Sequence, residues 1–318
     1  MEYKYIFGPV PSRRLGISLG IDLIPFKTCS LNCVYCECGA TTNLTIKRQE
    51  YVPLDKIFEE LDDFLKREPE LDFITFSGSG EPTLHNGIGE VIKFIKTKYS
   101  QYKIAVLTNG TLLSESNVRN AIIDADLIMP SLDAVTQSVF KRLNRPFPGL
   151  NIQEIIYGLI KTRMEFSGQI YLEVFIVPGL NDTDSELTFL KKALTEINSD
   201  KIQLNTLDRP GTSAWVRPSI KEELERIANF FKPLPVEIIA NFQSRKNIKS
   251  YHKDIADLII STLKRRPCTA EDLANTLGLH INEINKYIQS LLENDVIESE
   301  ILKRGIFFRA KNKNLLLN

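Results

Sequence analysis

Between residues 16 and 231 a short apolar or β-branched run is followed, again and again, by a longer amphipathic stretch, and no other feature limits the possible folds as much. The runs are GISLGIDLI (16–24), LDFITFSG (71–78), KIAVLTNG (103–110), DLIMPSLDA (126–134), QIYLEVFIVPG (169–179) and KIQLNTL (201–207). Their near-continuous apolar character is that of strands buried on both faces. The intervening stretches have helical spacing. PLDKIFEELDDFLKRE (53–68) places Ile57, Leu61 and Leu65 on one face, and GIGEVIKFIKTKYS (87–100), DSELTFLKKALTEI (184–197) and IKEELERIANFF (220–231) behave alike. Such alternation predicts an α/β domain of six strand–helix units with a parallel sheet and right-handed crossovers. Periodicity alone leaves open whether the sheet is flat or curled. The Gly-, Pro- and polar-rich segments SGSGEP, TNG, SLDA, VPGLND and LDRPG all follow runs, which puts them on the face where parallel α/β folds place their sites.

The texture changes near residue 241. NFQSRKNIKS is polar and reads as the core of a linker over 241–252, dividing a large domain (1–240) from a small one (253–318). The small part runs helix, turn, helix, turn, helix, with Gly278 in a turn, and then IESEILKRGIFFRA supplies a hairpin turning at Arg304 and Gly305. It resembles a winged helix-turn-helix domain, yet its acids and bases nearly balance, unlike a DNA-binding module. The whole chain is balanced too, with 40 Lys plus Arg against 40 Asp plus Glu, so no global field draws in nucleic acid or an anionic membrane. The start MEYKYIFGPVPSRRLG lacks the apolar run of a signal peptide, and no stretch approaches the length of a membrane span, so the expected location is cytoplasmic.

In that reducing compartment a cysteine cluster points to metal or catalysis rather than disulfides. FKTCSLNCVYCECG (26–39) carries four of the five cysteines, and Cys29, Cys33 and Cys36 form C-x3-C-x2-C. Three thiolates from one loop can converge on an iron–sulfur cubane and leave one iron open for a ligand. Cys38 as a fourth ligand would instead close the site, as a structural zinc or an electron-transfer cluster; a second distant cysteine pair, usual for zinc, is missing.

The triplet after the first strand, with Tyr35 just before its last cysteine, resembles the radical S-adenosylmethionine (SAM) superfamily. GSGEP (78–82), TNG (108–110), SLDA (131–134) and IVPGLND (176–182) fit that family's order, and the likeness covers roughly residues 5–240. It implies a partial (β/α)6 TIM-type barrel, a 4Fe-4S cluster on Cys29, Cys33 and Cys36, and SAM held against the open iron and cleaved by one electron to a 5′-deoxyadenosyl radical. It also implies an electron donor such as flavodoxin or ferredoxin. Glu81 and the backbone of Gly78, Ser79 and Gly80 would take the methionine amino group. Tyr35, Asn109, Ser131 and Asp133 would lie beside the cofactor, although Asp133 also suits a helix cap.

Two Pro- and Gly-flanked arginine segments are the substrate candidates: GPVPSRRLGIS with Arg13 and Arg14, and LDRPGTSAWVRPS with Arg209, Trp215 and Arg217. Guanidinium groups so presented suit phosphate or carboxylate, and Trp215 either stacks on a ligand or plugs the core. His85 reads as a polar surface group. The leading function is a radical SAM enzyme acting on a macromolecule, RNA or protein and peptide, in the branch grouped with wyosine-type enzymes. A glycyl-radical enzyme activase and a non-enzymatic iron–sulfur regulator that binds DNA through the winged helix are the alternatives.

Overall fold

The computed structural model describes residues 3–311, apart from 13, 79, 208–210, 240–252, 266 and 303–304. Arg13, Ser79, Arg209, Arg304 and the expected linker 241–252 thus lie outside the described residues. The chain opens with an antiparallel pair, β1 (Ile6–Ser12) and β2 (Gly16–Ile21), then sets a short ladder of β3 (Thr28–Cys29) and β4 (Asn43–Leu44) around the cysteine loop. Alternation follows: α1 (Leu54–Leu65), β5 (Phe73–Phe76), α2 (Ile88–Lys98), β6 (Ile104–Thr108), α3 (Ser116–Ile122), β7 (Leu127–Pro130), α4 (Gln137–Leu143), α5 (Ile152–Glu165), β8 (Gln169–Phe175), α6 (Asp184–Ile197), β9 (Lys201–Asn205), α7 (Lys221–Phe231) and β10 (Val236–Ile238).

These strands form one eight-stranded sheet in the order β1-β2-β5-β6-β7-β8-β9-β10, parallel throughout except for β1 at one edge. The side-chain period of two sorts each strand into layers. Ile104 and Val106 of β6 and Ile128 of β7 join the large core under the helices, whereas Ala105, Leu127 and Met129 point to the other face and pack with Leu15 in a second, smaller cluster. That inner cluster lies on the concave side, next to the site. On the outer side Ile57, Leu61 and Leu65 are fully buried, as their spacing in the sequence predicts.

Two strands differ from expectation. GPVPS, expected as a lead-in loop, belongs to β1, with a register shift between Phe7 and Val10. Pro9 and Pro11 are tolerated because an edge strand can dispense with ladder N–H groups. The parallel strand β10, absent from the six-unit reading, extends the opposite edge beside β9.

Beyond residue 252 come α8 (Lys253–Arg265), β11 (Cys268–Thr269), α9 (Ala270–Leu277), α10 (Ile281–Glu293), β12 (Ile297–Leu302) and β13 (Gly305–Ala310), with the three strands in the order β11-β13-β12. This unit has its own core around Ile259, Leu273, Ile284 and Ile288. Thr269 caps α9 by accepting from Asp272 N at 3.1 Å, while the Asp272 carboxylate accepts from Thr269 N at 3.0 Å, and Gly278 ends the helix in the left-handed region (φ 64°). The first turn of α10 packs on β1: the His280 ring stacks on Phe7 at 4.6 Å between centroids, and Asn282 Nδ2 lies 3.4 Å from Asp22 Oδ2.

Candidate active site at the strand ends

One cavity opens at the C-terminal ends of the parallel strands, and Cys29, Cys33 and Cys36 all line it. The loop that carries them is tied down on every side. Thr45 N donates to Cys29 O (2.9 Å), Val34 N to Leu143 O (2.9 Å), Phe147 N to Ser30 O (2.9 Å) and Ser213 N to Val34 O (3.1 Å). These partners come from three separate segments, so the three sulfurs are positioned by the tertiary fold rather than by local turn preference.

Nitrogen donors face all three sulfurs: Asn109 Nδ2 at 3.5 Å from Cys29, Asn144 Nδ2 at 3.4 Å from Cys33, and Lys27 Nζ at 3.1 Å from Cys36. Burial, reinforced by the Glu81 charge, pushes the Cys29 thiol up to about 12, and burial raises Cys33 as well. Cys36 moves the other way, down to about 5, through a hydrogen bond from Cys38 and the charge and hydrogen bond of Lys27. Among the described residues no three His, Cys, Asp or Glu side chains converge tightly enough to hold a single metal ion. Three cysteines around one cavity suit a multinuclear cluster, whose ligands attach to different metals. Thiolates with N–H donors turned toward sulfur are the donor set and surroundings that such a cluster takes, so the residues present fit the group.

The glycine segment meets this loop at close quarters. Glu81 N donates to Thr28 O at 3.1 Å, and a Cβ on Gly80 would fall 1.9 Å from the same carbonyl oxygen, so only glycine allows the approach. Gly78 is pressed against Asp22 in the same way, with 2.2 Å from a would-be Cβ to Asp22 Oδ1. Glu81 is 1% exposed. Its Oε1 accepts from Thr83 N (3.1 Å), Thr83 Oγ1 (2.6 Å) and Thr108 Oγ1 (2.6 Å), and its Oε2 accepts from Asn109 N (2.6 Å). Burial nonetheless raises its pKa. A cationic ligand group at the cavity wall would relieve that burden.

Asp133 closes the opposite wall. Its Oδ1 accepts from Phe175 N (2.9 Å), and its Oδ2 accepts from Asn144 Nδ2 (2.9 Å) and from the Tyr35 hydroxyl. The cap of α4 is Thr136, so Asp133 is no helix cap. Burial pushes its carboxyl up to about 6, and Tyr35 is also raised, by burial and then by the Asp133 charge. The Tyr35 ring stacks on Phe175 at 3.9 Å. Asn181, from IVPGLND, ties these segments together: its Nδ2 donates to Asp133 O and Phe175 O, both at 2.8 Å.

Of the residues singled out from the sequence, Cys29, Cys33, Tyr35, Cys36, Gly78, Gly80, Glu81, Asn109, Ser131 and Asp133 line the cavity, as does Arg14. Arg14 pairs with Glu173, whose other oxygen accepts from Asn205 Nδ2 at 3.0 Å. Trp215 and Arg217 stand outside. Trp215 is 58% exposed, and Arg217 donates to both oxygens of Glu223 at the surface. His85 is buried rather than on the surface: Nδ1 accepts from Gly87 N at 3.0 Å and Nε2 faces Val52 O at 2.9 Å, which fixes a neutral ring whose pKa burial lowers. Sequence reasoning missed Lys27, Thr108 and Asn144. Lys27 and Thr108 lie inside segments that it did quote, without a role; Asn144 has no local signal, because its partners Asp133 and Cys33 are 11 and 111 residues away.

Comparison with known proteins bears on the family and the fold. A profile of the Radical SAM superfamily matches residues 23–191. The chain is 34% identical over 313 residues to a protein of Brachyspira hyodysenteriae named GTPase Obg, covering 98% of this chain but 46% of that one, so it spans about half the length of that relative. It is 30% identical to a UPF0026 protein of Methanocaldococcus jannaschii, with 89% of each covered. Among solved structures, a radical SAM methyltransferase from Sphaerobacter thermophilus superposes with a TM-score of 0.53 at 17% identity, covering 71% of this chain and 67% of that one. The chain belongs to the radical SAM superfamily, whose members use a 4Fe-4S cluster and S-adenosylmethionine.

Proposed function

We propose that this chain is a radical SAM enzyme that cleaves S-adenosylmethionine reductively and takes hydrogen from a macromolecular substrate, RNA or protein and peptide. The observation that carries the reading is the meeting, in one cavity, of the three cysteines with Glu81, Asn109, Ser131 and Asp133 from three further strand ends. Cys29, Cys33 and Cys36 would hold the cluster, which supplies one electron to the sulfonium when bound. Glu81 and the backbone from Gly78 to Gly80 receive the amino group; Asn109, Ser131, Asp133 and Tyr35 orient the rest of the cofactor. The substrate is met from the side of Arg14, whose pairing with Glu173 offers both charges to an incoming group. Leu107 and Met129, also in the wall, keep water from the reacting centre.

The C-terminal unit has the element order of a winged helix, and we read it as a docking module for the macromolecule, with RNA as the arm that follows the wyosine-type grouping. A flavodoxin or ferredoxin is the electron donor in this reading. The first turn of α10 is already engaged, through His280 on Phe7 of β1 and Asn282 on Asp22 just past β2, and Asn285 and Gln289 farther along are buried. That occupancy counts against the DNA-binding regulator. No specific observation favours a glycyl-radical enzyme activase.

The test is anaerobic reconstitution followed by measurement of 5′-deoxyadenosine after reduction, alone and with host tRNA or small-protein fractions. Stimulation by one fraction assigns the substrate class. A loaded cluster that never yields deoxyadenosine with any fraction sinks the enzymatic reading.

A further inference from the structure

Lys27 is a cation in the cysteine loop whose charge the proposed reaction leaves unused. It lies two positions before Cys29, is 2% exposed, and takes up a left-handed backbone conformation at φ 57°. A glycine or asparagine would adopt that conformation more cheaply, so the turn alone does not call for lysine. The backbone is pinned as well, because Thr42 N and Asn43 N both donate to Lys27 O at 3.1 Å. The side chain ends with Nζ 3.1 Å from Cys36 Sγ, and the charged groups that act on it are the sulfurs of Cys36, Cys38 and Cys29. Burying an ammonium is costly unless a counter-charge meets it. In this loop the counter-charge is sulfur.

We propose that Lys27 is a fixed counter-ion of the cluster, a positioning charge that favours its reduced state and so sets the potential at which the electron enters. The inference rests on the reading that Cys29, Cys33 and Cys36 hold a 4Fe-4S cluster. Reduction adds one electron, taken from a one-electron donor, and hence one negative charge to the cluster and its thiolates; no bond or proton need move. A nearby positive charge stabilises the more negative state, so it raises the potential, and burial keeps water and salt from screening it. Glu81, whose charge also acts on Cys29, works in the opposite sense.

The experiment is a dithionite titration of the reconstituted full-length protein, followed by the electron paramagnetic resonance signal of the reduced cluster, without substrate. Lys27→Met keeps most of the stem and removes the charge; Lys27→Arg keeps the charge; Lys47→Met removes an exposed cation farther along the same segment. The expected result is a midpoint shifted to lower potential in Lys27→Met, with a smaller reduced fraction at the same poise, and midpoints near the wild type in the other two. An unchanged midpoint in Lys27→Met, or an equal shift in Lys47→Met, overturns the proposal. If Lys27→Met fails to load iron while Lys27→Arg loads it, the charge serves assembly instead, and the proposal also falls; failure of both variants to load leaves Lys27 a packing role and has the same consequence. A wild-type protein that loads no cluster removes the underlying reading itself.

Discussion

Asp133 in the cavity and His280 at the docking face of the C-terminal unit are both buried ionisable side chains, and burial drives them in opposite directions. The carboxyl rises to about 6 and the imidazole falls to about 4. Their surroundings differ in kind. Asp133 receives three donors, from Tyr35, Asn144 and Phe175 N, so its charge is accommodated where a cofactor would lie. His280 stacks on Phe7, and its Nδ1 accepts from Asn282 N at 3.2 Å, an arrangement that suits only a neutral ring. The cavity surrounds its buried carboxylate with donors, whereas the docking face holds its imidazole neutral. Catalytic and docking surfaces of one chain can be told apart by that difference.

The largest test removes the chemistry from one region and leaves the other alone. Cys33→Ala should abolish cluster assembly and deoxyadenosine formation, read from iron content and product, with the circular dichroism spectrum unchanged. Cys38→Ala should load iron nearly as well, because Cys38 acts on Cys36 and is not part of the triplet. Loss of the cluster in Cys38→Ala would break the three-ligand site. Next in size is Gly80→Ala. Its Cβ has nowhere to go beside Thr28 O, and forced overpacking costs about 1–3 kcal/mol. SAM affinity should fall by roughly tenfold to a hundredfold in equilibrium dialysis, while melting of the C-terminal unit stays put.

What the sequence made legible was short in range. The buried strands follow from β-branched runs, the cysteine loop from spacing, and the inward set Glu81, Asn109, Ser131 and Asp133 from the resemblance to the radical SAM superfamily. The edge strand β1 was hidden by Pro9 and Pro11, which look like loop residues until the strand is known to lie at an edge. Arg217 was a substrate candidate, and its partner Glu223 belongs to the next helix. Glu173 could have faced either way on β8; Ile170, Leu172 and Val174 enter the large core, which leaves Glu173 on the opposite face, where it meets Arg14. Contacts between distant segments, not propensity, decide these positions.

The two ionisable groups also predict opposed pH slopes for the apo-protein. Asp133 has a folded pKa above its usual 3.8, so its contribution is fully present below about pH 4 and is lost as pH rises toward 6. His280 has a folded pKa below its usual 6.5, so its contribution is present above pH 6.5 and is lost as pH falls toward 4. Each amounts to roughly 2–3 kcal/mol at most. Urea midpoints between pH 4 and 6 should therefore vary little in the wild type, fall toward acid in Asp133→Asn, and fall toward neutrality in His280→Gln. Parallel slopes in the two variants would erase the contrast between the regions.

The smallest effect probes whether the regions are independent at all. Phe7→Leu removes the stacked ring from His280 and leaves an aliphatic side chain over Gly20, at an expected cost of about 1 kcal/mol. Faster hydrogen exchange should be confined to the first turn of α10, with cluster content and SAM affinity as in the wild type. Asp22 is a path by which that outcome can fail. One of its oxygens lies against Gly78 of the cofactor loop, and the other is 3.4 Å from Asn282 Nδ2 and 3.5 Å from His280 Nε2. If Phe7→Leu weakens SAM binding along with the docking face, the carboxylate transmits the disturbance, and cavity and C-terminal unit act as one device. Asp22→Asn in the Phe7→Leu background would then restore SAM affinity only if the Asp22 charge, rather than its packing, carries the message.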